Sequence, residues 1–286
     1  MTGRFGLAHV LAAGLIGLDF AARTARLRWL LAVARVRIGW WDSLCVNAWA
    51  DAGAALTPFR VGGEPARIAG LKALRVPFRR GLGALALEVT MATPVTVAIG
   101  GALAVGYGHA WWPRAAASLE RFHDAWWLAV AMLVAIVGVW WATRRIGSTR
   151  GAPRNPRLVG SAWALAASAG CSAVNVLCRV MVLPVLAWGA GYSGDLGEVA
   201  LGSFVLLYAQ LFAPVPAGMG VIDAVFLAGG AGVSDLGVLV AWRAYTTGAG
   251  ASLGGVLAAI RLATTGRAPL GGLGDFGGRH RQVVVD

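Results

Sequence analysis

Seven predominantly apolar stretches divide this chain, at 5–22, 39–58, 82–108, 125–142, 158–190, 200–231 and 236–260. A membrane-spanning helix needs about 20 such residues. None of the stretches alternates in the ten-residue pieces of a membrane barrel strand. The pattern therefore predicts helices. Two stretches carry breaks. Leu56 to Arg67 holds Pro58, Gly62, Gly63 and Pro65, and 214–220 reads Pro-Val-Pro-Ala-Gly-Met-Gly, with Pro214, Pro216, Gly218 and Gly220. A helix does not pass through such residues undisturbed, because proline lacks the amide donor and glycine restrains nothing. Broken backbone at membrane depth needs protein or a watery cavity around it, so both breaks are candidate working sites.

Basic residues orient the segments. Arg23, Arg26, Arg28, Arg35 and Arg37 lie in 23–37. Arg60, Arg67, Lys72, Arg75, Arg79 and Arg80 lie in 60–80. Arg144, Arg145, Arg150, Arg154 and Arg157 lie in 143–157, and Arg261, Arg267, Arg279 and Arg281 in the tail. Connections 109–124 and 191–199 hold Arg114 with Arg121, and none. Basic loops stay cytoplasmic. If 39–58 spanned once, one strongly basic loop would lie outside. If it dips in and returns, every basic loop stays inside. By the same logic 200–231 dips from the other face. The prediction is an all-α polytopic bundle of about five spans with two re-entrant broken helices. Segments 5–22, 39–58, 82–108 and 158–190, 200–231, 236–260 form inverted repeats joined by 125–142. Inverted repeats with broken helices are a transporter architecture.

Composition agrees. Of 286 residues, 58% are hydrophobic and 13% charged, with mean hydropathy +0.68; soluble domains run about 25% charged. The net charge of +12 belongs to cytoplasmic loops rather than to nucleic-acid binding. The expected division is a transmembrane domain at 1–261 and a disordered cytoplasmic tail at 262–286, in a multi-pass protein of the inner membrane. Cys45, Cys171 and Cys178 form no Cys-x-x-Cys, and four scattered histidines offer no metal spacing. No metal, cofactor or catalytic grouping is expected. Trp40-Trp41, Trp111-Trp112, Trp126-Trp127 and Trp140-Trp141 fall at segment ends as an interfacial belt. The glycine pairs at 229–230 and 254–255 suit close helix packing.

Ionisable groups inside apolar segments cost about 2.5–3.5 kcal/mol each on insertion scales. Asp19 and Asp42, near segment ends, are expected to reach headgroups. Glu88 is within reach of Arg79 or Arg80. Asp51 follows Asn47 by four residues, and Arg179 follows Asn175 by four, so each pair shares a helical face. Asp223 lies just after the second break, and Arg243 is in the last span. These groups build either a polar cavity or pairs that fix packing. At the first break Pro58, Gly62 and Gly63 are expected to shape the turn. Glu64 and Arg67 should then present charge at the cytoplasmic mouth.

Asn47 to Arg67, Asn-Ala-Trp-Ala-Asp-Ala-Gly-Ala-Ala-Leu-Thr-Pro-Phe-Arg-Val-Gly-Gly-Glu-Pro-Ala-Arg, resembles the first signature of the flippase-like membrane domain of lysylphosphatidylglycerol synthases and their stand-alone relatives. Phe212 to Asp223, followed by Trp242-Arg243, resembles the second. Ala217 and Met219 stand where the family tends to have Gly, and Asp223 where it has Glu. No synthase domain is expected after residue 260, nor an extra N-terminal span, so the synthase activity is not carried over. The resemblance implies a lipid flippase. Asp51 or Glu64 would pair with a cationic headgroup. Arg67, Arg179 and Arg243 would hold a lipid phosphate. The alternatives are an intramembrane transferase on a lipid-linked sugar, with Glu64 or Asp223 as base, and a non-transporting partner of a lipid-synthesis enzyme.

Overall fold

The computed structural model describes residues 2–120 and 159–265. The expected connecting span at 125–142, the basic stretch 143–157, two of the four Trp doublets and the tail from 266 lie outside the described residues. The described chain is helical throughout, with no β-strand. Its helices are α1 (Thr2–Val33), α2 (Trp40–Leu56), α3 (Gly63–Ala73), α4 (Phe78–Glu120), α5 (Val159–Gly189), α6 (Leu196–Ala209), α7 (Val221–Val225), α8 (Leu236–Arg243) and α9 (Ala249–Thr265). A π-turn, Phe226–Gly230, extends α7, and another, Ala244–Gly248, links α8 to α9 without leaving helical backbone. Three stretches are long and apolar enough to cross a membrane: Gly3–Val33, Phe78–Pro113 and Ala162–Gly189.

Several boundaries differ from the hydropathy reading. Helix α1 does not stop at 22 but continues through Arg23, Arg26 and Arg28 to Val33. A charge does not end a helix; an unpropagated backbone does. The end comes at Arg35, which takes a left-handed φ of 57°, with Val36 N–H bonded back to Leu31 O at 2.8 Å. The following Val36 is fully buried. Helix α3 ends the same way, with Arg75 at φ 60°, Val76 N–H on Leu71 O at 3.0 Å and Val76 buried. Both caps place a cation beside the negative end of the helix dipole. Part of the expected loop 60–80 is therefore helix α3. The final helix likewise runs past 261 to Thr265.

Helices α2 and α3 form a hairpin, and so do α6 and α7. The first hairpin begins and ends where α1 ends and α4 begins. Arg80 donates to Arg35 O at 3.2 Å, and Trp41, Leu74 and Arg261 line one cleft. This end carries exposed Arg28, Arg35, Arg37, Lys72, Arg75 and Arg79. The second hairpin begins and ends at the opposite end. There Gly197 packs on Tyr107, Gly232 lies near Tyr192 and Val199, and Trp111 donates to Gly230 O at 3.0 Å.

Apolar side chains pointing at lipid do not hold such helices together; close packing does. A Cβ on Gly189 would sit 2.3 Å from that of Ala8, and one on Gly254 would sit 2.1 Å from Ala48 O. The glycine pairs divide in role: Gly254 packs closely, Gly255 faces open space, and Gly229 serves a φ of 88°. We expect Gly254→Ala to force α9 from α2, costing about 1–3 kcal/mol, while Gly255→Ala costs little. Thermal unfolding of the two variants in detergent checks this. Under the α6–α7 hairpin, Phe226 and Trp242 stack at 6.2 Å in a fully buried cluster with Leu183 and Leu206.

Candidate functional site

The tips of the two hairpins meet. Phe59 N–H donates to Ala213 O at 3.0 Å, and Arg60 Nη1 donates to Gln210 Oε1 at 2.9 Å. Each tip is one 3₁₀ turn built the same way. An extended residue, Thr57 or Val215, precedes a proline at the first helical position, Pro58 or Pro216. The next residue takes a left-handed φ, 54° at Phe59 and 51° at Ala217. Arg60 follows at 55° and Gly218 at 68°. Non-glycine residues pay about 1–2 kcal/mol for that conformation, so both tips are held in place by their surroundings.

The glycines of the first tip do not supply the left-handed turn. Gly62 is needed because its α-carbon faces Gly53 O and Thr57, where a Cβ would lie at 2.6 and 2.7 Å. Gly63 packs less tightly on Ala54. Thr57 Oγ1 accepts from Gly62 N–H at 2.8 Å. In the second tip Gly218 and Gly220 do take positive φ, and Pro214 is exposed ahead of the turn.

Beneath the tips lies a buried seam of charge. Arg23 of α1 reaches Asp19 on its own helix at 3.1 Å. It also reaches Asp51 of α2, at 2.9 Å to Oδ1 and 2.8 Å to Oδ2. Arg179 of α5 lies 3.2 Å from Asp19 and 3.7 Å from Asp51, and Asn175 Nδ2 donates to Asp19. A turn further along α1, Arg26 pairs with Glu88 of α4 and donates to Ser172 Oγ at 3.1 Å. Arg67 of α3 grips both oxygens of Glu88, at 3.1 and 2.6 Å. It also donates to Asn47 Oδ1 at 3.2 Å and touches Glu64 at 3.4 Å. A bidentate arginine–carboxylate pair fixes geometry as well as charge.

Several expectations change here. Asp19 does not reach headgroups; it is completely buried. Glu88 pairs with Arg26 and Arg67, not with Arg79 or Arg80. Arg67 is turned inward, 8% exposed, rather than standing at a mouth; only Glu64 is open, with 60% of its side chain exposed. Asn47 and Asp51 serve separate partners, Arg67 and Arg23. Asp42 is half-buried beside Gly39. Arg23 and Arg26, counted as loop charges, are interior groups. The signal was present, since Asp19, Arg23 and Arg26 are spaced four and three apart, on one helix face.

The last pair sits under the second tip. Arg243 Nε donates to Asp223 Oδ1 at 2.7 Å. Its Nη1 donates to Ala217 O at 2.7 Å and its Nη2 to Gly218 O at 3.3 Å. Asp223 Oδ2 accepts from Gly220 N–H at 2.9 Å. The π-turn that starts at Ala244 immediately follows Arg243; such bulges recur at functional sites.

In the seam and first tip, five arginines (Arg23, Arg26 and Arg67 buried, Arg60 and Arg179 half-buried) face four carboxylates: Asp19 and Glu88 buried, Asp51 half-buried and Glu64 exposed. Among the described residues no three His, Cys, Asp or Glu side chains group to hold a metal ion. The three cysteines are free.

A family model described as the lysylphosphatidylglycerol synthase TM region matches residues 5–266. No curated protein and no solved structure matches the chain.

Proposed function

The chain belongs to the lysylphosphatidylglycerol synthase transmembrane-region family, and on that premise we propose that it moves a lipid with a phosphate-bearing polar headgroup across the cytoplasmic membrane. The observation that carries this reading is the meeting of two broken hairpins, from opposite ends of the bundle, over a seam with more arginines than carboxylates. A headgroup crossing hydrocarbon needs polar partners along its way, and a surplus of arginines over carboxylates asks for an anion.

We read α1–α4 and α5–α9 as two copies of one unit in opposite orientation. The shared turn geometry at Pro58 and Pro216 supports this, as does the arrangement of long helix, hairpin and final helix in each. The basic end then faces the cytoplasm, together with the end of α9. Both hairpins are re-entrant, and the helix from Leu236 to Thr265 spans once more. Asp51, Arg179, Asp223 and Arg243 line the headgroup path, with Asn47, Arg67 and Glu88 as its rigid wall and Glu64 at its open flank.

The test is movement of fluorescent lipids between leaflets of liposomes, compared across headgroups. Faster movement of phosphate-bearing lipids than in protein-free liposomes is expected. Equal rates for every headgroup would remove the proposal. A covalently altered lipid would replace it with the transferase reading.

A further inference from the structure

The interior arginines are not equivalent. Arg23, Arg26, Arg67, Arg179 and Arg243 each contact at least one carboxylate. Arg60 does not. Among the described residues its guanidinium makes one hydrogen bond, to the carboxamide oxygen of Gln210. It lies within Coulombic range of Arg23, Asp51, Arg179 and Arg243, three cations and one anion. Its backbone is held at φ 55°, a conformation that costs energy and persists at functional sites when surroundings impose it.

Gln210 presents the matching anomaly. It is 1% exposed, and while its oxygen accepts from Arg60, its Nε2 has no hydrogen-bond partner among the described residues. A buried amide donor left unpaired costs about 1–3 kcal/mol. The carboxamide nitrogen is bonded to the same carbon as the oxygen that holds Arg60. The junction therefore offers unused guanidinium N–H groups and amide N–H groups side by side, in a field dominated by arginines. Such a set suits an acceptor-only ligand with several oxygens.

We propose that Arg60 and Gln210 form an anion site for a phosphate group at the junction of the two tips, and that their mutual bond is the latch an incoming phosphate displaces. This rests on the headgroup-path reading and names the residues that select its substrate class. Arg60 turns its guanidinium from the Gln210 oxygen to the phosphate, and the amide Nε2 gains the acceptor it lacks. One of the two hydrogen bonds between the tips is then lost, and Phe59 N–H on Ala213 O alone remains. Phosphate binding and loosening of the tips become one event.

The test is equilibrium binding to the full-length protein in neutral detergent, with three probes. Dioctanoyl phosphatidylglycerol carries the phosphate on a lipid, inorganic phosphate carries it free, and dioctanoylglycerol has the same tails without it. Wild type should bind the phosphatidylglycerol about tenfold or more tightly than the dioctanoylglycerol. Arg60→Gln should remove that preference, Arg60→Lys should keep part of it, and Gln210→Leu should weaken it. Arg79→Gln, at an exposed position in the first turn of α4, should leave it unchanged. Competition by inorganic phosphate would assign recognition to the phosphate alone; none would assign it to phosphate on a lipid.

An undiminished preference in both Arg60→Gln and Gln210→Leu, each folded by thermal unfolding, would overturn the assignment, as would a wild type with no preference. If Arg60→Gln does not fold, Arg60→Lys and Gln210→Leu decide. Lipid movement in liposomes is read separately. Movement with unchanged binding in the variants retains the transport proposal and removes this one. Arg60-dependent binding without movement does the reverse.

Discussion

Glu88→Gln is expected to destabilise the protein by about 3–5 kcal/mol, the usual cost of stripping one partner from a buried ion pair. The carboxylate is 4% exposed and serves two guanidiniums at once, Arg26 and both arms of Arg67. An amide keeps the shape but presents one oxygen and two N–H donors. One of those donors faces an arginine, and two buried cations lose their counter-charge. The damage should spread, because Arg26 is also tied to Ser172 of α5 and Arg67 to Asn47 of α2. Four helices beside α4 itself lose a common fixing point. Thermal unfolding in detergent measures this, with Glu64→Gln as the contrast. Glu64 meets the same Arg67 at 3.4 Å but with 60% of its side chain exposed, and such pairs are worth at most about 1 kcal/mol. A double change, Glu88→Gln with Arg67→Gln, should recover part of the loss, since the two residues are coupled.

Arg243→Lys is expected to behave as a loss rather than a conservative change. The guanidinium spans Asp223 and two backbone carbonyls, Ala217 and Gly218, on a turn whose residues hold left-handed φ. An ammonium on a flexible stem can meet Asp223 but does not reproduce that fork. We expect about 2 kcal/mol of lost stability from the unsupported turn. Movement of phosphate-bearing lipids should slow by about tenfold, equivalent to 1.4 kcal/mol. Unfolding midpoints and liposome rates measured on one preparation check both. Unchanged rates in Arg243→Lys would show that the tip's geometry does not govern transport.

The two breaks were legible in the sequence because they are written in proline and glycine. Their local geometry was not. The left-handed positions at the first tip belong to Phe59 and Arg60, residues with no preference for that conformation, and only the meeting of the two tips accounts for them. The hairpin α2–α3 was half visible, since hydropathy falls at Arg67 and Lys72 while helical backbone continues to Ala73. The same blind spot hid Arg23 and Arg26. An apolar window closes at the first arginine, whereas a helix closes where capping geometry forms, here at Arg35.

Asp51, Arg179, Asp223 and Arg243 stood out because an ionisable group inside an apolar run is costly enough to need a partner. Which partner each would find was not readable, because the choice is made across helices. Asp51 and Asn47 share a face of α2, yet α1 meets one and α3 the other. Gln210 and Arg60 were the least visible. One is a neutral residue beside a proline-rich break, and the other was counted among loop charges. Only their contact across the tips makes either one notable.

The proposed headgroup path runs through the contact of the two hairpin tips. A disulfide across that contact would lock it. Phe59→Cys and Ala213→Cys, with Cys45, Cys171 and Cys178 replaced by alanine, place two thiols at the backbone bond joining the tips. With the tips oxidised together, movement of phosphate-bearing lipids in liposomes should stop, and reduction should restore it. Transport at the same rate in the cross-linked and reduced protein would place the headgroup path elsewhere.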